Sequence, residues 1–336
     1  MRSNASRRDF LKYGSALGAA TMFGMPRIAV AESAPETSRI RLARLPAVCV
    51  APQYVAEELL RIEGFSEVEY VEALHTSDTV AALAEDRIDI GVKTAPFLVN
   101  KLDSAPPVVV LAGMHLGCYE LFAREDISAI RDLKHKTIAI SGFESSEHIF
   151  LASMVAYVGM DPRKDVDWAV TGSTKEAMNK FIEGRADAFL AFPPEPQELR
   201  ARNIGRVVVN TALDRPWSNY YCCMIAASKA FVDRYPAAAH RALRALLKAA
   251  DLCASDPDAT AGFLVEKGYE PRIDIAKEVL NDINYAAWRQ YSPEDAMRFH
   301  ALRLHEVGMI DTPPNQIIAN GTDWRILNEL KRELKA

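Results

Sequence analysis

Short apolar runs alternate with amphipathic stretches of helical period along most of this chain. The runs have the length of strands, and several of the stretches between them end at glycine. Strands are predicted at 40–45, 68–71, 88–92, 108–114, 137–141, 166–170, 188–192, 207–209 and 220–227, and helices at 52–63, 77–85, 147–158 and 175–183. From Lys229 onward the pattern is almost entirely helical, with helices predicted at 236–254, 257–266, 273–283 and 293–307. This alternation predicts an α/β fold with a helical C-terminal region.

One helix–turn–strand unit occurs twice, at 77–96 and at 175–194. In both copies a helix leads into Glu-x-Arg-x-Asp, an apolar strand follows, and a proline comes after the strand. The aligned pairs are Glu85 with Glu183, Arg87 with Arg185, Asp89 with Asp187, and Pro96 with Pro194. The repeat predicts two similar lobes whose strand ends offer loops to a shared cleft, although a chance similarity is the alternative.

The N-terminus has the three parts of an export signal. Ser-Arg-Arg-x-Phe-Leu-Lys at 6–12 precedes an apolar stretch at 13–23 and an Ala-x-Ala site at 29–31. The apolar stretch is too short to span a bilayer. The pattern predicts a twin-arginine signal peptide over residues 1–31 and a periplasmic location. Because no cysteine precedes Cys49, a lipid anchor at the cleavage site is not expected.

The charge of the chain argues against a nucleic-acid partner. The sequence has 40 basic and 45 acidic residues, and removal of residues 1–31 leaves 35 and 44, a formal charge of −9. An acidic surface offers no broad basic field to a phosphate backbone. A monomer is expected, because closure of two lobes needs no partner subunit.

The cysteines and histidines predict neither a metal site nor a catalytic centre. The five cysteines are odd in number and widely spaced, so they fit neither a disulfide framework nor a CxxC site. Cys222 and Cys223 are neighbours in the predicted strand 220–227, so their side chains are expected on opposite faces, and buried thiols are favoured. His300 and His305 are expected to face solvent. With no GxGxxG, Walker, HExxH or GxSxG motif, no cofactor, metal or enzymatic activity is predicted.

Several segments together resemble the nitrate/taurine/aliphatic-sulfonate class of ABC-importer solute-binding proteins, which also takes in binders of thiamine pyrimidine precursors. The segments are E-x-R-I-D-I-G-V at 85–92, I-x-D-L-K-x-K-T-I-A-I-S-G at 130–142, Ser-Ser at 145–146, E-G-R-A-D-A-F at 183–189, F-P-P-E-P at 192–196 and K-A-F-V-D-R-Y-P at 229–236. The most specific piece is D-L-K-x-K-T-I. The resemblance covers roughly residues 38–265.

The resemblance implies a type II periplasmic-binding-protein fold, in which two α/β lobes are joined by two crossing segments and the solute lies between them. The crossings would lie near 119–124 and 222–227. Lobe 1 would then comprise 38–122 plus 223–336, and lobe 2 would comprise 123–222. In such a protein the solute stabilises a closed form reached by hinge bending.

The function that the resemblance implies is the periplasmic solute-binding component of an ABC importer. Its partners would be a small-molecule solute and the permease and ATPase subunits at the inner membrane. Two alternatives are a ligand-sensing periplasmic domain for a membrane receptor and a pyrimidine-synthase-like enzyme of thiamine biosynthesis. Those synthases carry a cysteine-rich strand just before the segment matching 229–236, where this chain has only Cys222 and Cys223.

Candidate solute contacts in the first lobe come from three loops. They are Gln53 and Tyr54 after the first strand, His75 and Thr76 before the second helix, and Thr94 and Ala95 after the strand 88–92. Helix capping is the alternative role for Gln53, and helix capping by Ser77 or Asp78 is the alternative role for the loop of His75 and Thr76. Lys93 is expected to be a solvated charge at the rim.

Candidate contacts in the second lobe are Phe143, Glu144, Ser145, Ser146, Phe192, Glu195, Trp217 and Asn219. Ser145 or Ser146 can equally be a helix N-cap, and the start of a helix suits an anionic or polar group. The acidic Glu144 and Glu147 argue against a strongly anionic solute. Nitrogen-bearing organic solutes therefore rank above sulfonates and nitrate, with Glu195 as the expected partner of a cationic or N–H group.

Overall fold

Two five-stranded sheets form the framework of the protein. The computed structural model describes residues 34–45, 47–72 and 78–335. In this part the strands are β1 (Arg39–Arg44), β2 (Glu67–Glu72), β3 (Ile90–Thr94), β4 (Val108–Leu116), β5 (Glu120–Ala123), β6 (Thr137–Ile140), β7 (Asp167–Val170), β8 (Ala188–Ala191), β9 (Arg206–Asn210) and β10 (Tyr221–Ser228). The strand orders are β2-β1-β3-β10-β4 and β7-β6-β8-β5-β9. The predicted α/β class is confirmed.

Helices cover both sheets and make up nearly all of the C-terminal part. The α-helices of the described residues are α1 (Ala51–Ile62), α2 (Asp78–Ala84), α3 (Ala95–Leu102), α4 (Ser146–Tyr157), α5 (Thr174–Ile182), α6 (Glu195–Ala201), α7 (Lys229–Arg234), α8 (Pro236–Ser255), α9 (Pro257–Glu266), α10 (Ile273–Asp282), α11 (Pro293–Glu306), α12 (Pro314–Gly321) and α13 (Arg325–Glu333). Short 3-10 helices occupy Val48–Val50, Ile130–Leu133, Trp217–Asn219 and Tyr285–Arg289. Within the described ranges, no helix has the length and apolar character needed to cross a membrane.

The chain passes between the two sheets twice. We call the first sheet with its helices, including those after β10, the first lobe, and the second sheet with its helices the second lobe. The passages are 117–119 and 211–220, a few residues earlier than the predicted 119–124 and 222–227. The predicted ranges overlap β5 and β10 instead. The first was misplaced because β5 is only four residues long and gives almost no period in the sequence. The residue bounds of the lobes stay a prediction.

The two passages lie side by side. The Tyr119 N–H donates to Thr211 Oγ1 at 3.0 Å, and the Thr211 N–H donates to the Tyr119 carbonyl at 2.9 Å. Gly117 has a φ of +23°, and a Cβ atom there would overlap the backbone of Ala212. Only glycine therefore fits where the first passage touches the second.

The repeated unit of the sequence has the same structural role in both lobes. The Asp89 carboxylate accepts the Arg41 N–H at 2.6 Å, which ties the turn before β3 to its neighbour β1. The Asp187 carboxylate accepts the Thr137 N–H at 2.8 Å, which ties the turn before β8 to its neighbour β6. In each lobe this aspartate fixes the start of a strand whose far end leads toward the candidate cleft.

Candidate functional site

The candidate cleft is defined by strand ends of both lobes. The carboxyl ends of β1 and β3 lead into α1 and α3, and those of β6 and β8 lead into α4 and α6. Ligands of open α/β sheets bind at these ends. The predicted contacts from 53–54, 94–95, 143–146 and 192–195 all lie on these connections.

Gln53 and Tyr54 hold the loop after β1. Gln53 Nε2 donates to the Ala43 carbonyl at 2.5 Å, while its Oε1 is buried with no hydrogen-bond partner among the described residues. The Tyr54 hydroxyl donates to the Leu45 carbonyl at 2.5 Å and accepts the Leu45 N–H at 3.0 Å. The Tyr54 ring stacks on Tyr269 with centroids 3.8 Å apart. Tyr54 is therefore a structural residue, and Gln53 Oε1 has the remaining hydrogen-bonding capacity.

The junction of β3 and α3 contributes buried groups. Thr94 is the N-cap residue of α3, but its side chain makes no capping bond, and Oγ1 is buried without a partner in the described structure. Ala95 is fully buried. Lys93, expected at the rim, is only 6 % exposed, because β3 is an inner strand of its sheet. His75 and Thr76 lie outside the described residues.

Side chains of the second lobe engage the N-terminus of α4. Ser145 is the N-cap and accepts the His148 N–H at 3.3 Å. The Glu147 carboxylate accepts the Ser141 N–H at 3.0 Å and also the Ser141 hydroxyl. Ser146 is buried beside them. Since a serine hydroxyl and a carboxylate already engage this helix start, it is poorly suited to a strongly anionic ligand.

Glu195 begins α6 at the end of the neighbouring strand connection. Its Oε2 accepts the Phe192 N–H at 3.0 Å. Removal from water raises the pKa of Glu195 to about 8; the bond from Phe192 opposes this rise, and the negative charge of Glu147 adds to it. The carboxyl of Glu147 is therefore close enough to influence the ionisation of Glu195. Phe192, which binds Glu195 through its N–H, belongs to an aromatic group: the Tyr119 ring lies 5.4 Å from that of Phe192 and 5.2 Å from that of Phe150.

The loop before α4 bridges the lobes. Glu144 has a φ of +61° and its carboxylate lies 2.5 Å from Nζ of Lys101 in α3. The hydrogen bond from Lys101 lowers the pKa of Glu144. Phe143 is 64 % exposed, with its ring 5.3 Å from that of His148. Glu144 therefore contacts the opposite lobe, whereas the Phe143 side chain is exposed to solvent.

A second contact between the lobes is an ion-pair network of α6 and α10. The Arg200 guanidinium lies 2.7 Å from the carboxylates of both Glu278 and Asp282, and it also pairs with Glu120. Burial raises the pKa of Glu120, although the charge of Arg200 opposes this shift. Together with the Lys101 pair, this network joins the two lobes.

Replacing Arg200 with alanine is expected to shift the lobes toward an open form. The change removes pairs that join the lobes and leaves the buried Glu120 carboxyl without its cation, at a cost of about 1–3 kcal/mol. Small-angle scattering should show a larger radius of gyration for the variant without solute. Arg185→Ala is the matched control, because Arg185 pairs locally with Glu183 on the surface. Equal radii of gyration for both variants would contradict the role of Arg200 in holding the lobes together.

Trp217 and Asn219 lie away from the acidic group. The buried Trp217 ring packs against Tyr157 at the C-terminal end of α4, with centroids 5.7 Å apart. Ser145 is at the other end of this helix, and a twelve-residue helix is about 18 Å long. Asn219 is exposed. The structure therefore does not bring these two residues together with Ser145 and Glu195.

His300 does not face solvent as predicted. It is buried, with Nδ1 3.3 Å from Ser153 Oγ of α4, because α11 packs against the second lobe here. Burial lowers the pKa of His300 to about 3, so the ring is neutral at physiological pH. His305 is exposed, as expected.

A group of buried cysteines and one histidine is a further feature near the passages. One ligand atom from each of Cys49, His115, Cys118 and Cys223 lies within 4.8 Å of the other three, and these residues could hold a metal. The Sγ atoms of Cys222 and Cys223 are 4.0 Å apart. The prediction that they point to opposite faces is wrong, because β10 is irregular at this point in its pairing with β4. All five cysteines are buried, as predicted.

This group was not predicted from the sequence. Its members come from a 3-10 helix, the end of β4 with the passage after it, and β10. Only His115 and Cys118, with two residues between them, have a spacing typical of metal motifs. Hydrogen bonds from the thiols of Cys118, Cys222 and Cys49 hold the pKa of Cys223 well below its ordinary value, and the charge of His115 adds to this effect. The H-x-x-C pair of His115 and Cys118 was the signal that could have pointed to this group.

Comparison with known proteins identifies the family. Residues 50–260, more than half of the chain, match the family model described as NMT1/THI5 like. The chain belongs to the NMT1/THI5-like family. Residues 4–24 match the model of the twin-arginine translocation pathway signal sequence, which confirms the predicted signal and export to the periplasm. No curated protein matches this NMT1/THI5-like chain.

Solved structures with the same fold include three binding proteins. The periplasmic nitrate-binding protein NrtA from Synechocystis PCC 6803 is 16 % identical, with a TM-score of 0.74 and 90 % of each chain covered. The alkanesulfonate-binding protein SsuA from Xanthomonas axonopodis pv. citri, bound to MOPS, is 16 % identical, with a TM-score of 0.71 over 86 % of this chain and 99 % of that one. The periplasmic aliphatic sulphonate binding protein SsuA from Escherichia coli is 16 % identical, with a TM-score of 0.66 over 84 % and 92 %. The predicted fold of this NMT1/THI5-like protein is confirmed.

Proposed function

We propose that this chain is the periplasmic solute-binding component of an ABC importer, and that its solute is a small organic molecule with a cationic or N–H-bearing nitrogen. The export signal and the fold shared with nitrate- and alkanesulfonate-binding proteins support the general role. The partners are then the permease and ATPase subunits at the inner membrane, and the protein acts as a monomer. Closure around the solute, and not covalent chemistry, is its activity.

The acidic pair of Glu195 and Glu147 carries the assignment of the solute. Both belong to connections at the carboxyl ends of adjacent strands, and the charge of Glu147 raises the pKa of Glu195. Two neighbouring carboxyls repel an anion and attract a cation. A protonated amine or a ring with N–H groups donates to such oxygens, whereas nitrate or a sulfonate has only acceptors to offer.

The aromatic group supports an organic body for the solute. The Tyr119 ring lies 5.2 Å from that of Phe150 and 5.4 Å from that of Phe192, and the Phe192 N–H binds Glu195. Aromatic faces bind both apolar groups and cations. A small nitrogen heterocycle or an amine on a compact carbon skeleton satisfies both parts of the cleft. Gln53 Oε1 and Thr94 Oγ1 of the first lobe, which have no hydrogen-bond partner among the described residues, supply further polar contacts.

A thermal-shift screen of the exported protein tests the solute class. Pyrimidines, polyamines and amino compounds are compared with nitrate and with alkanesulfonates that carry no amine. A ligand at 100 times its Kd adds about 2.7 kcal/mol of stability, which raises the unfolding temperature measurably. We expect hits among the nitrogen-bearing compounds. A set of hits confined to nitrate and sulfonates would overturn the assignment.

Glu195→Gln is expected to weaken a cationic hit by about 1–3 kcal/mol, or roughly 5- to 150-fold in Kd, because a bound cation favours the ionised carboxylate, whereas the amide keeps the shape but cannot ionise. Titration calorimetry measures the effect. Asn219→Ala is the matched control and should keep the wild-type Kd, since Asn219 is exposed near the other end of α4. Equal loss in both variants would count against a contact with Glu195.

The importer role is tested separately. The loaded protein is expected to stimulate ATP hydrolysis by its reconstituted permease complex, and the recovered solute should be chemically unchanged. A solute that binds without stimulation would favour the sensor alternative, in which a membrane receptor recognises the closed form. A changed solute would favour the enzymatic alternative.

A further inference from the structure

Three thiols and one imidazole converge at the point where the chain passes between the lobes. Cys49 lies in the 3-10 helix after β1, His115 in β4, Cys118 in the first passage and Cys223 in β10. One ligand atom from each lies within 4.8 Å of the others, and all four residues are buried. Buried polar groups of this kind need partners, because burial without them costs free energy.

The His115 ring is oriented as a ligand. Its Nδ1 lies 2.9 Å from the Leu116 carbonyl, and since a carbonyl only accepts, Nδ1 carries the proton of this bond. Nε2 is buried and has no hydrogen-bond partner in the part of the chain that the structure describes. A histidine that binds a metal usually donates its other N–H to a carbonyl or carboxylate in this way, which leaves a lone pair for the metal.

The spacing of the four atoms is close to that of a tetrahedral site. With Zn–S bonds of about 2.3 Å and Zn–N bonds of about 2.0–2.1 Å, a tetrahedron places its ligand atoms roughly 3.6–3.8 Å apart. The longest separation in the cluster is within 4.8 Å, so side-chain rotations of about 1 Å at the sulfur atoms would complete it. Calcium and magnesium are excluded, because they require oxygen ligands.

We propose that Cys49, His115, Cys118 and Cys223 form a tetrahedral binding site for a thiophilic divalent cation, for which zinc is the best fit. Four protein ligands leave no open position, so the site is structural and not catalytic. The cation joins the 3-10 helix after β1 to β4, to the first passage and to β10. This role does not depend on which solute the cleft holds.

Metal analysis of the exported, purified protein tests the site. We expect about one zinc per chain by mass spectrometry of the metal. Replacement with Co²⁺ should give the intense visible bands and the sulfur-to-metal charge transfer of a tetrahedral thiolate site. X-ray absorption at the zinc edge should show about three sulfur ligands and one nitrogen ligand. This last measurement uses the unaltered chain, so it decides the question even if variants fail to fold.

Variants identify the ligands. Cys49→Ser is expected to lower the affinity for Zn²⁺ and Co²⁺ at least about tenfold. Cys253→Ser is the matched control, because Cys253 is also buried but is not one of the four residues. It should retain the metal and the cobalt spectrum. If Cys49→Ser binds the metal as well as Cys253→Ser does, the cation is adventitious and the proposal is wrong.

A disulfide is the competing outcome. The Sγ atoms of Cys118 and Cys222 are 3.3 Å apart, and a bond between them would remove one ligand. Alkylation of the unfolded, unreduced protein followed by mass spectrometry counts the free thiols. Five labelled cysteines together with bound zinc support the site. A Cys118–Cys222 disulfide in protein without metal overturns it.

Discussion

Glu195→Gln should make the protein without solute more stable than the wild type by on the order of 3 kcal/mol at pH 9, and of equal stability at pH 4. The pKa of Glu195 is raised from 4.5 to about 8 by burial, with the bond from Phe192 opposing and the charge of Glu147 adding. The folded protein then holds this proton where the unfolded chain releases it. The unfolding free energy therefore falls as the pH rises from about 4.5 to 8. For a fully buried carboxyl the fall would be about 1.4 kcal/mol per pH unit, and the partial exposure of Glu195 makes it smaller.

Urea unfolding at several pH values measures this difference. The variant should lack the part of the pH dependence that Glu195 contributes. Glu125→Gln is the matched control, because Glu125 is an exposed carboxylate of the same lobe and its replacement should leave the wild-type profile unchanged. Parallel profiles for wild type and Glu195→Gln would show that the Glu195 carboxyl is not destabilised in the fold. A cation in the cleft would relieve the same cost, which links the stability measurement to the proposed solute.

Gly117→Ala is expected to lower the unfolding free energy by about 2–4 kcal/mol. The new methyl group would overlap the backbone of Ala212 in the second passage, and neither backbone can move without disturbing the bonds between Tyr119 and Thr211. Overpacking of this kind costs about 1–3 kcal/mol, and the positive φ adds to it. Chemical denaturation followed by circular dichroism gives the value.

Gly159→Ala separates the two contributions. Gly159 has a φ of +83°, but a Cβ atom there would meet nothing within 4 Å. Its replacement should therefore cost only the conformational part, about 1 kcal/mol. If the two alanine variants lose the same unfolding free energy, the overlap with Ala212 does not contribute to the loss in Gly117→Ala.

The fold was more predictable than the site. Strand and helix periods located most elements within a few residues, and the aspartates at 89 and 187 marked equivalent turns because each binds a neighbouring strand. Lys93 and His300 were placed wrongly, since their burial depends on β10 and α4, which are distant in sequence. Helix capping by Ser145 was foreseen as an alternative.

The cleft contacts depend on distances that the sequence does not contain. Trp217 was predicted as a solute contact, but its position is set by packing on Tyr157. Glu147 was recognised as acidic, whereas its influence on Glu195 needed the relative placement of two strand ends. The group around Cys118 is the extreme case, because Cys49 and Cys223 are more than 170 residues apart in the chain.

The burial of all five thiols has a consequence for the journey of the protein across the membrane. Disulfide formation in the periplasm begins with attack by an accessible thiolate. A chain that arrived unfolded would present five such groups to the oxidising machinery, with many wrong pairings open to it. A chain that folds in the reducing cytoplasm before it crosses presents none, so the order of folding and export decides whether these cysteines survive as thiols.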